Sequence, residues 1–292
     1  MRILLTGGTG FVGQNLLPQL KTKHEVYNFS SKDYDLREQS ECRNLVKLIK
    51  PDVIIHAAGT VGGISANKEN PGRFMYDNLI MGTNLIHSAM TNNIGKFILL
   101  GTVCSYPKFT EVPFGEKDLW NGYPEETNAP YGIAKKTLMK LLETYHEQYG
   151  MNVVNLIPVN MYGPHDHFNL TSSHVIPALI LKVYRAMKNM DSSITIWGTG
   201  QATREFLYVE GPSPINIGNG IEIKISQLVR TICYIMGYSG KIVYDKTKPD
   251  GQPRRCLDIS EAKNKLGFEA KTNLIDGLSK TIEWFLENYN GV

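Results

Sequence analysis

Cysteine is scarce in this chain and badly spaced for metal or redox work. The four thiols, Cys42, Cys104, Cys233 and Cys256, form no Cys-x-x-Cys pair and no metal-type cluster, and they read as reduced thiols of a cytoplasmic protein. Charge of one sign is missing as well. Lys and Arg number 31 against 28 Asp and Glu, a net charge of +3 with no basic run, so nucleic acid is not an expected partner. No apolar run is long enough to span a membrane. The opening residues already read as a strand, so no signal peptide is expected. Internal repeats and low-complexity segments are absent. His165 and His167 flank Asp166, but they sit in a loop with poor spacing and no third ligand, so no metal is expected. What is present is bulk: 292 residues, 42% of them hydrophobic, enough for one large domain or two unequal ones.

Met1-Arg2-Ile3-Leu4-Leu5-Thr6 is a short apolar run that leads into Gly7-Gly8-Thr9-Gly10-Phe11-Val12-Gly13, after which Leu16, Leu17 and Leu20 recur at helical spacing. The pattern is strand, glycine turn, helix. Gly7 permits the tight turn, Gly10 lets backbone approach a pyrophosphate, and Gly13 lets helix pack on strand, with the phosphates at the helix N-terminus. A dinucleotide site follows, and the Gly-x-x-Gly-x-x-Gly spacing resembles the short-chain dehydrogenase/reductase pattern. The next strand, His24 to Phe29, ends in Ser30-Ser31-Lys32. An acid there would bond the ribose of NAD and repel the extra phosphate of NADP. The cofactor is therefore NADP or NAD, with the serines and Lys32 fitting NADP somewhat better, although the turn holds no arginine to clamp a phosphate. Asp52 to Gly59 reads as a buried strand whose small exit residues, Ala57 and Ala58, let backbone lie against the cofactor. Lys96 to Gly101 is the next strand, and it delivers Thr102 and Cys104 to its carboxyl end, where ligands of such sheets bind.

Pro130-Tyr131-Gly132-Ile133-Ala134-Lys135 places a tyrosine and a lysine four residues apart, on one helix face. The ammonium is expected to favour the phenolate, lowering a phenol pKa that is about 10 when unperturbed. Tyr131 could then exchange a proton near neutral pH while a substrate hydroxyl and carbonyl interconvert.

Gly7 through Gly13, Asn78 through Asn84, Thr102, Tyr131 with Lys135, and Asn160-Met161-Tyr162-Gly163-Pro164 together resemble the extended short-chain dehydrogenase/reductases that act on nucleotide sugars. Val61-Gly62-Gly63-Ile64, Cys104 through Lys108, Ser173-His174-Val175-Ile176-Pro177, Trp197-Gly198-Thr199-Gly200 and Lys248-Pro249-Asp250-Gly251 are similar to the GDP-L-fucose synthases among them, the GDP-4-keto-6-deoxy-mannose epimerase-reductases. The resemblance implies a doubly wound parallel Rossmann sheet with a smaller C-terminal substrate-binding lobe. Residues 1–164, completed by parts of 204–220, would hold the dinucleotide, and 165–292 mainly the sugar nucleotide. It implies that Tyr131 donates the proton, Lys135 tunes it and anchors the cofactor ribose, and Thr102 bonds the reacting oxygen. Cys104 and His174 would be base and acid for inverting carbons. Gly7, Gly10, Phe11, Val12, Gly13, Ser31, Lys32, Ala57, Ala58, Tyr131, Lys135 and His174 would meet the cofactor. Val61, Gly62, Asn160, Val175, Lys182, Trp197, Arg204, Asp250 and Arg255 would meet the GDP-sugar. A homodimer paired through two long helices is also implied.

The chain departs from that pattern in three places. Thr102 replaces the usual serine, and the glycine turn lacks the arginine that some members use. Arg204 to Glu210 runs straight into Gly211 to Gly218, where the family has an intervening helix on the order of six turns long; the segment is either deleted or missing from this sequence, and the intact flanks favour the second. Two rivals stand beside the epimerase-reductase. One is a GDP-sugar 4-dehydrogenase without inversion, for example on a GDP-manno-heptose. The other is a non-catalytic NAD(P)-sensing protein, which the intact Thr102, Tyr131 and Lys135 argue against.

Overall fold

The computed structural model describes residues 1–209 and 215–289, with Ile215 described by its backbone alone. The apolar opening run forms β1 (Arg2–Thr6), and its Ile3, Leu4 and Leu5 are almost fully buried, as befits a strand covered on both faces. The glycine turn then starts α1 (Phe11–Lys21), and β2 (Glu25–Phe29) follows. In α2 (Gln39–Ile49) the buried residues are Cys42, Leu45, Val46 and Ile49, a spacing that marks one apolar face. Next come β3 (Val53–His56), the short α3 (Ile64–Glu69), α4 (Pro71–Thr91) and β4 (Lys96–Leu100). After a long connection come α5 (Ala129–Tyr149), β5 (Val153–Pro158) and β6 (Asn160–Tyr162).

The C-terminal part contributes α6 (Val175–Asn189), β7 (Ser193–Trp197), β8 (Thr203–Tyr208), β9 (Ile215–Ile217), β10 (Glu222–Lys224), α7 (Ile225–Met236), β11 (Lys241–Asp245), α8 (Ser260–Leu266) and α9 (Leu274–Asn288). The main sheet has the order β2-β1-β3-β4-β5-β9, and every neighbouring pair in it is parallel. The chain leaves β1 toward one edge and returns on its other side at β3, which opens a crevice at the carboxyl ends of these strands. A three-stranded sheet, β10-β8-β6, and a two-stranded one, β11-β7, belong to the smaller lobe.

Two apolar cores underlie this arrangement. One gathers residues from Leu4 to Val159 and takes in Leu207, Ile217 and Leu257 from later in the chain. The other runs from Tyr162 to Phe285. The long helices α4 and α5 lie against each other. Gly82 is at their contact: a Cβ there would stand 2.2 Å from Leu138 Cδ1, so glycine sets how closely the helices approach. The Glu210–Gly211 junction lies outside the described residues, while β8 and β9 on either side are in place and β9 pairs with β5. Among the described residues no helix is long and apolar enough to cross a membrane. None of their His, Cys, Asp and Glu side chains form a group of three or more that could hold a metal.

Candidate active site

Two cavities of about 350 and 360 Å³ open along the strand ends and share Ala57 and Gly59. The first is lined by Gly7, Gly10, Ser31, Ala57 and Ala58. Gly7 has φ +75, and a Cβ there would come within 2.6 Å of the Ala58 backbone nitrogen, so the turn tolerates only glycine. Gly13 lines neither cavity; a Cβ on it would meet Gly7 O at 2.2 Å, and its part is to let α1 pack on the turn. No acidic residue occupies the first turn of α1, and Phe11 and Val12 line the second cavity. The positive end of that helix suits a pyrophosphate.

The β2 exit differs from the sequence reading. Lys32 lines neither cavity. Asp33 folds back instead, accepting from the Ser30 amide at 2.9 Å and its hydroxyl at 2.7 Å, and these bonds hold its pKa low. Arginine, absent from the turn, arrives from farther along the chain: Arg37 and Arg73 both line the first cavity. Arg37 forms a two-pronged pair with Asp35, at 2.9 and 2.7 Å, and lies 3.7 Å from Asp77. Neither arginine is in a motif, so only the folded chain reveals them.

The second cavity brings Thr102, Cys104, Tyr131, Lys135 and His174 together. A Cβ on Gly132 would lie 2.3 Å from Cys104 O, and Ser105 Oγ donates to Gly132 O at 2.9 Å. Glycine at that position lets the start of α5 touch the turn that follows β4, so Tyr131 meets Thr102. Thr102 Oγ1 accepts from the Cys104 amide at 3.2 Å, and its hydroxyl acts on the Tyr131 phenol to favour the ionised form. Burial, and then the charge of Cys104, push the Tyr131 pKa above its ordinary value, with Thr102 partly offsetting them. That corrects the expected lowering by Lys135. The spacing of four residues did put both groups on one face; Lys135 Nζ donates to the Leu100 carbonyl at 3.0 Å, and burial lowers its own pKa to about 8. Tyr131 therefore keeps its proton at neutral pH, which suits the donor in a carbonyl reduction.

A pH dependence follows from Lys135. Its ammonium supports the negative charge left on Tyr131, and a lowered lysine pKa means this charge is lost as pH rises through about 8. The expected result is a kcat/KM for ketone reduction that declines above about pH 8, since that ratio reports groups of the free enzyme. A profile flat to two units higher would remove Lys135 from the step.

His174 stands at the N-cap position of α6 but makes no side-chain cap bond. Its imidazole reaches solvent through the cavity while protein surrounds it, and burial, then Arg255 and His167, lower its pKa. Val61, Gly62, Asn160, Val175 and Lys182 line the same cavity, as do Trp197, Arg204, Asp250 and Arg255. Strand alternation separates Arg204 from Glu205. Arg204 faces the cavity, donating to the Thr203 and Asp250 carbonyls at 2.7 and 3.0 Å. Glu205 is fully buried, accepting from the Leu257 amide at 2.8 Å and the Gly220 amide at 2.6 Å. Burial and then Arg255 penalise the Arg204 charge. A guanidinium nevertheless stays protonated, so the cavity wall carries positive charge suited to an anion. The Asp250 carboxylate is engaged by the Thr199 amide and hydroxyl at 2.8 and 2.7 Å. Lys182 donates to Thr195 O at 2.6 Å. Trp197 is 42% exposed at the rim. Gln252, which the sequence reading passed over, is 4% exposed and lines the cavity.

A glycine-turn dinucleotide crevice joined to a tyrosine–lysine–threonine site defines an oxidoreductase of the short-chain dehydrogenase type. The chain belongs to the NAD dependent epimerase/dehydratase family, whose model matches residues 3–211. It is 40% identical over 307 residues to a GDP-L-colitose synthase from Yersinia pseudotuberculosis, with 99% of each chain covered. It is likewise 40% identical over 302 residues to a GDP-L-fucose synthase from Sinorhizobium fredii, covering 98% of this chain and 96% of that one. A GDP-L-fucose synthetase from Naegleria fowleri, solved with NADP bound, superposes with a TM-score of 0.88 at 28% identity, covering 99% of this chain and 94% of the other.

Proposed function

We propose that this protein is an NAD(P)-dependent epimerase-reductase of the GDP-L-fucose synthase type, reducing C4 of a GDP-linked 4-keto-6-deoxyhexose after inverting neighbouring carbons. The observation that carries the reading is one cavity of about 360 Å³ holding Thr102, Tyr131 and Lys135 beside Cys104 and His174, with Arg204 and Arg255 on its wall. Full-length relatives at 40% identity that make GDP-colitose and GDP-fucose support it.

The residues present fit a nicotinamide dinucleotide. Gly7 and Gly59 leave space that a Cβ would fill, with the one at Gly59 lying 2.9 Å from Asn78 Oδ1 and 3.7 Å from Lys135 Nζ. The buried Asn78 Oδ1 has no hydrogen-bond partner, although such acceptors are rarely left unpaired. Gly7, Gly10, Phe11 and Val12 would hold the pyrophosphate, Ser31, Ala57 and Ala58 the adenosine side, and Lys135 the nicotinamide ribose. When bound, the reduced nicotinamide supplies the hydride. NADP remains the favoured form. The rest is done by side chains. Thr102 orients the C4 oxygen, Tyr131 gives it a proton, and Lys135 supports the resulting phenolate. The C4 carbonyl acidifies the hydrogens on C3 and C5, and inversion there needs a base on one side and an acid on the other, the parts taken by Cys104 and His174. Arg204 would face the diphosphate, and Trp197 the base.

The test is isotopic. In heavy water with GDP-4-keto-6-deoxy-mannose, deuterium is expected to enter C3 and C5 of the product. Turnover without ring deuterium would reassign the protein as a plain 4-reductase or 4-dehydrogenase, and no turnover of reduced cofactor with any GDP-4-keto sugar would favour a sensing protein. Arg204→Ala is expected to raise the substrate KM about tenfold or more, because a charge-assisted contact to phosphate contributes about 1.5–3 kcal/mol. Unchanged GDP affinity by calorimetry would rule that contact out. We place the boundary between the cofactor and substrate parts near residue 164, the working form as a homodimer paired through α4 and α5, and the site of action in the cytoplasm.

A further inference from the structure

Arg255 is 6% exposed, and its guanidinium hydrogen-bonds other side chains of the chain itself. Its Nη1 donates to Cys104 Sγ at 3.5 Å, and its Nε donates to Gln252 Oε1 at 3.1 Å. Gln252 is itself pinned, giving its amide hydrogens to Lys108 O at 2.9 Å and Pro107 O at 3.5 Å. The Arg255 carbonyl accepts from the Glu205 amide at 3.0 Å, which ties this backbone to β8. The loop that leaves Cys104 thus returns, through Gln252, to the guanidinium that touches the Cys104 sulfur. Among the described residues no carboxylate lies within ion-pair distance of Arg255.

We propose that Arg255 is a positioning residue for Cys104, held by Gln252 as the fixed counter-charge against which the sulfur carries negative charge during proton transfer. The proposal rests on the epimerase reading for its purpose, but the contact itself is independent of substrate. A guanidinium at this distance favours a thiolate and disfavours a second cation nearby. The effect on the neighbour agrees: the same charge helps to lower the pKa of His174. Arg204 is left as the arginine whose donors meet backbone carbonyls at the cavity wall, and that is the better diphosphate contact.

The experiment uses the full chain without ligands. Iodoacetamide is added at pH 7.5, and Cys104 modification is followed by peptide mass spectrometry, with Cys104→Ser as blank. The other three thiols are buried, and the thiolate is the reacting form. Arg255→Gln is expected to slow Cys104 alkylation about tenfold, and Arg255→Lys to restore most of the rate. Gln252→Leu, which keeps the charge but releases it, is expected to slow alkylation by about threefold in a chain whose arginine is intact. A wild-type rate in Arg255→Gln, or a lysine variant as slow as the glutamine one, overturns the proposal. So does a Gln252→Leu rate equal to wild type. An Arg255→Gln variant that loses GDP affinity while alkylating normally makes Arg255 a diphosphate contact instead. Absence of deuterium at C3 and C5 in the wild-type reaction would sink the epimerase reading and leave the alkylation result standing.

Discussion

Tyr131→Phe is expected to lower turnover by about a hundredfold or more while leaving the fold and cofactor binding in place. The phenol is 9% exposed and its ring is part of the buried wall, so phenylalanine keeps the apolar packing and deletes only the hydroxyl. That hydroxyl lines the cavity together with Thr102, and burial keeps it protonated through the neutral range. Lys135 Nζ hydrogen-bonds the Leu100 carbonyl, so the phenol is the group assigned to protonate that oxygen. Single-turnover oxidation of the reduced cofactor, with cofactor affinity measured separately, checks the prediction. Near-normal turnover would end the proposed role. Lys135→Met is expected to be at least as damaging and to weaken cofactor binding too, because that ammonium serves both the phenolate and the ribose.

The second large effect concerns inversion alone. Cys104→Ser is expected to slow deuterium entry at C3 and C5 by about a hundredfold, because the proposed base is a thiolate beside Arg255 and a serine hydroxyl does not ionise near neutral pH. Reduction of an already inverted intermediate needs only Thr102, Tyr131, Lys135 and the cofactor, and it should be affected much less. The measurement is a pair of rates on one preparation: ring exchange by mass spectrometry and cofactor oxidation by absorbance. Equal loss of both would mean that Cys104 shapes the Thr102–Tyr131 pair through its backbone contacts and not that it moves protons.

The Rossmann half was legible because its signals are local. The strand–turn–helix at Gly7 to Gly13 works through backbone sterics, and the clash distances at Gly7 and Gly13 are what the motif anticipates. The helix containing Tyr131 and Lys135 is likewise a matter of spacing. The β2 exit was read less well. Ser30-Ser31-Lys32 was read as fitting the extra phosphate of NADP somewhat better, yet the Asp33 hydrogen bonds turn that loop and Lys32 lines neither cavity, while Arg37 and Arg73 come from outside the turn.

Sequence by itself determined which residues could do chemistry and on which face each lies, since spacing within one helix or strand converts directly to direction. It could not determine how much water each group keeps or which partner from a distant segment meets it. Lys135 was expected to lower the Tyr131 pKa, but burial, and then the charge of Cys104, raise it instead. The contact of Arg255 with Cys104 likewise arises only from the approach of residues 252–255 to the loop after β4. Proton affinities depend on desolvation and on charges a few ångströms away in space, and those distances exist only after residues some 150 positions apart, as Cys104 and Arg255 are, have been folded together.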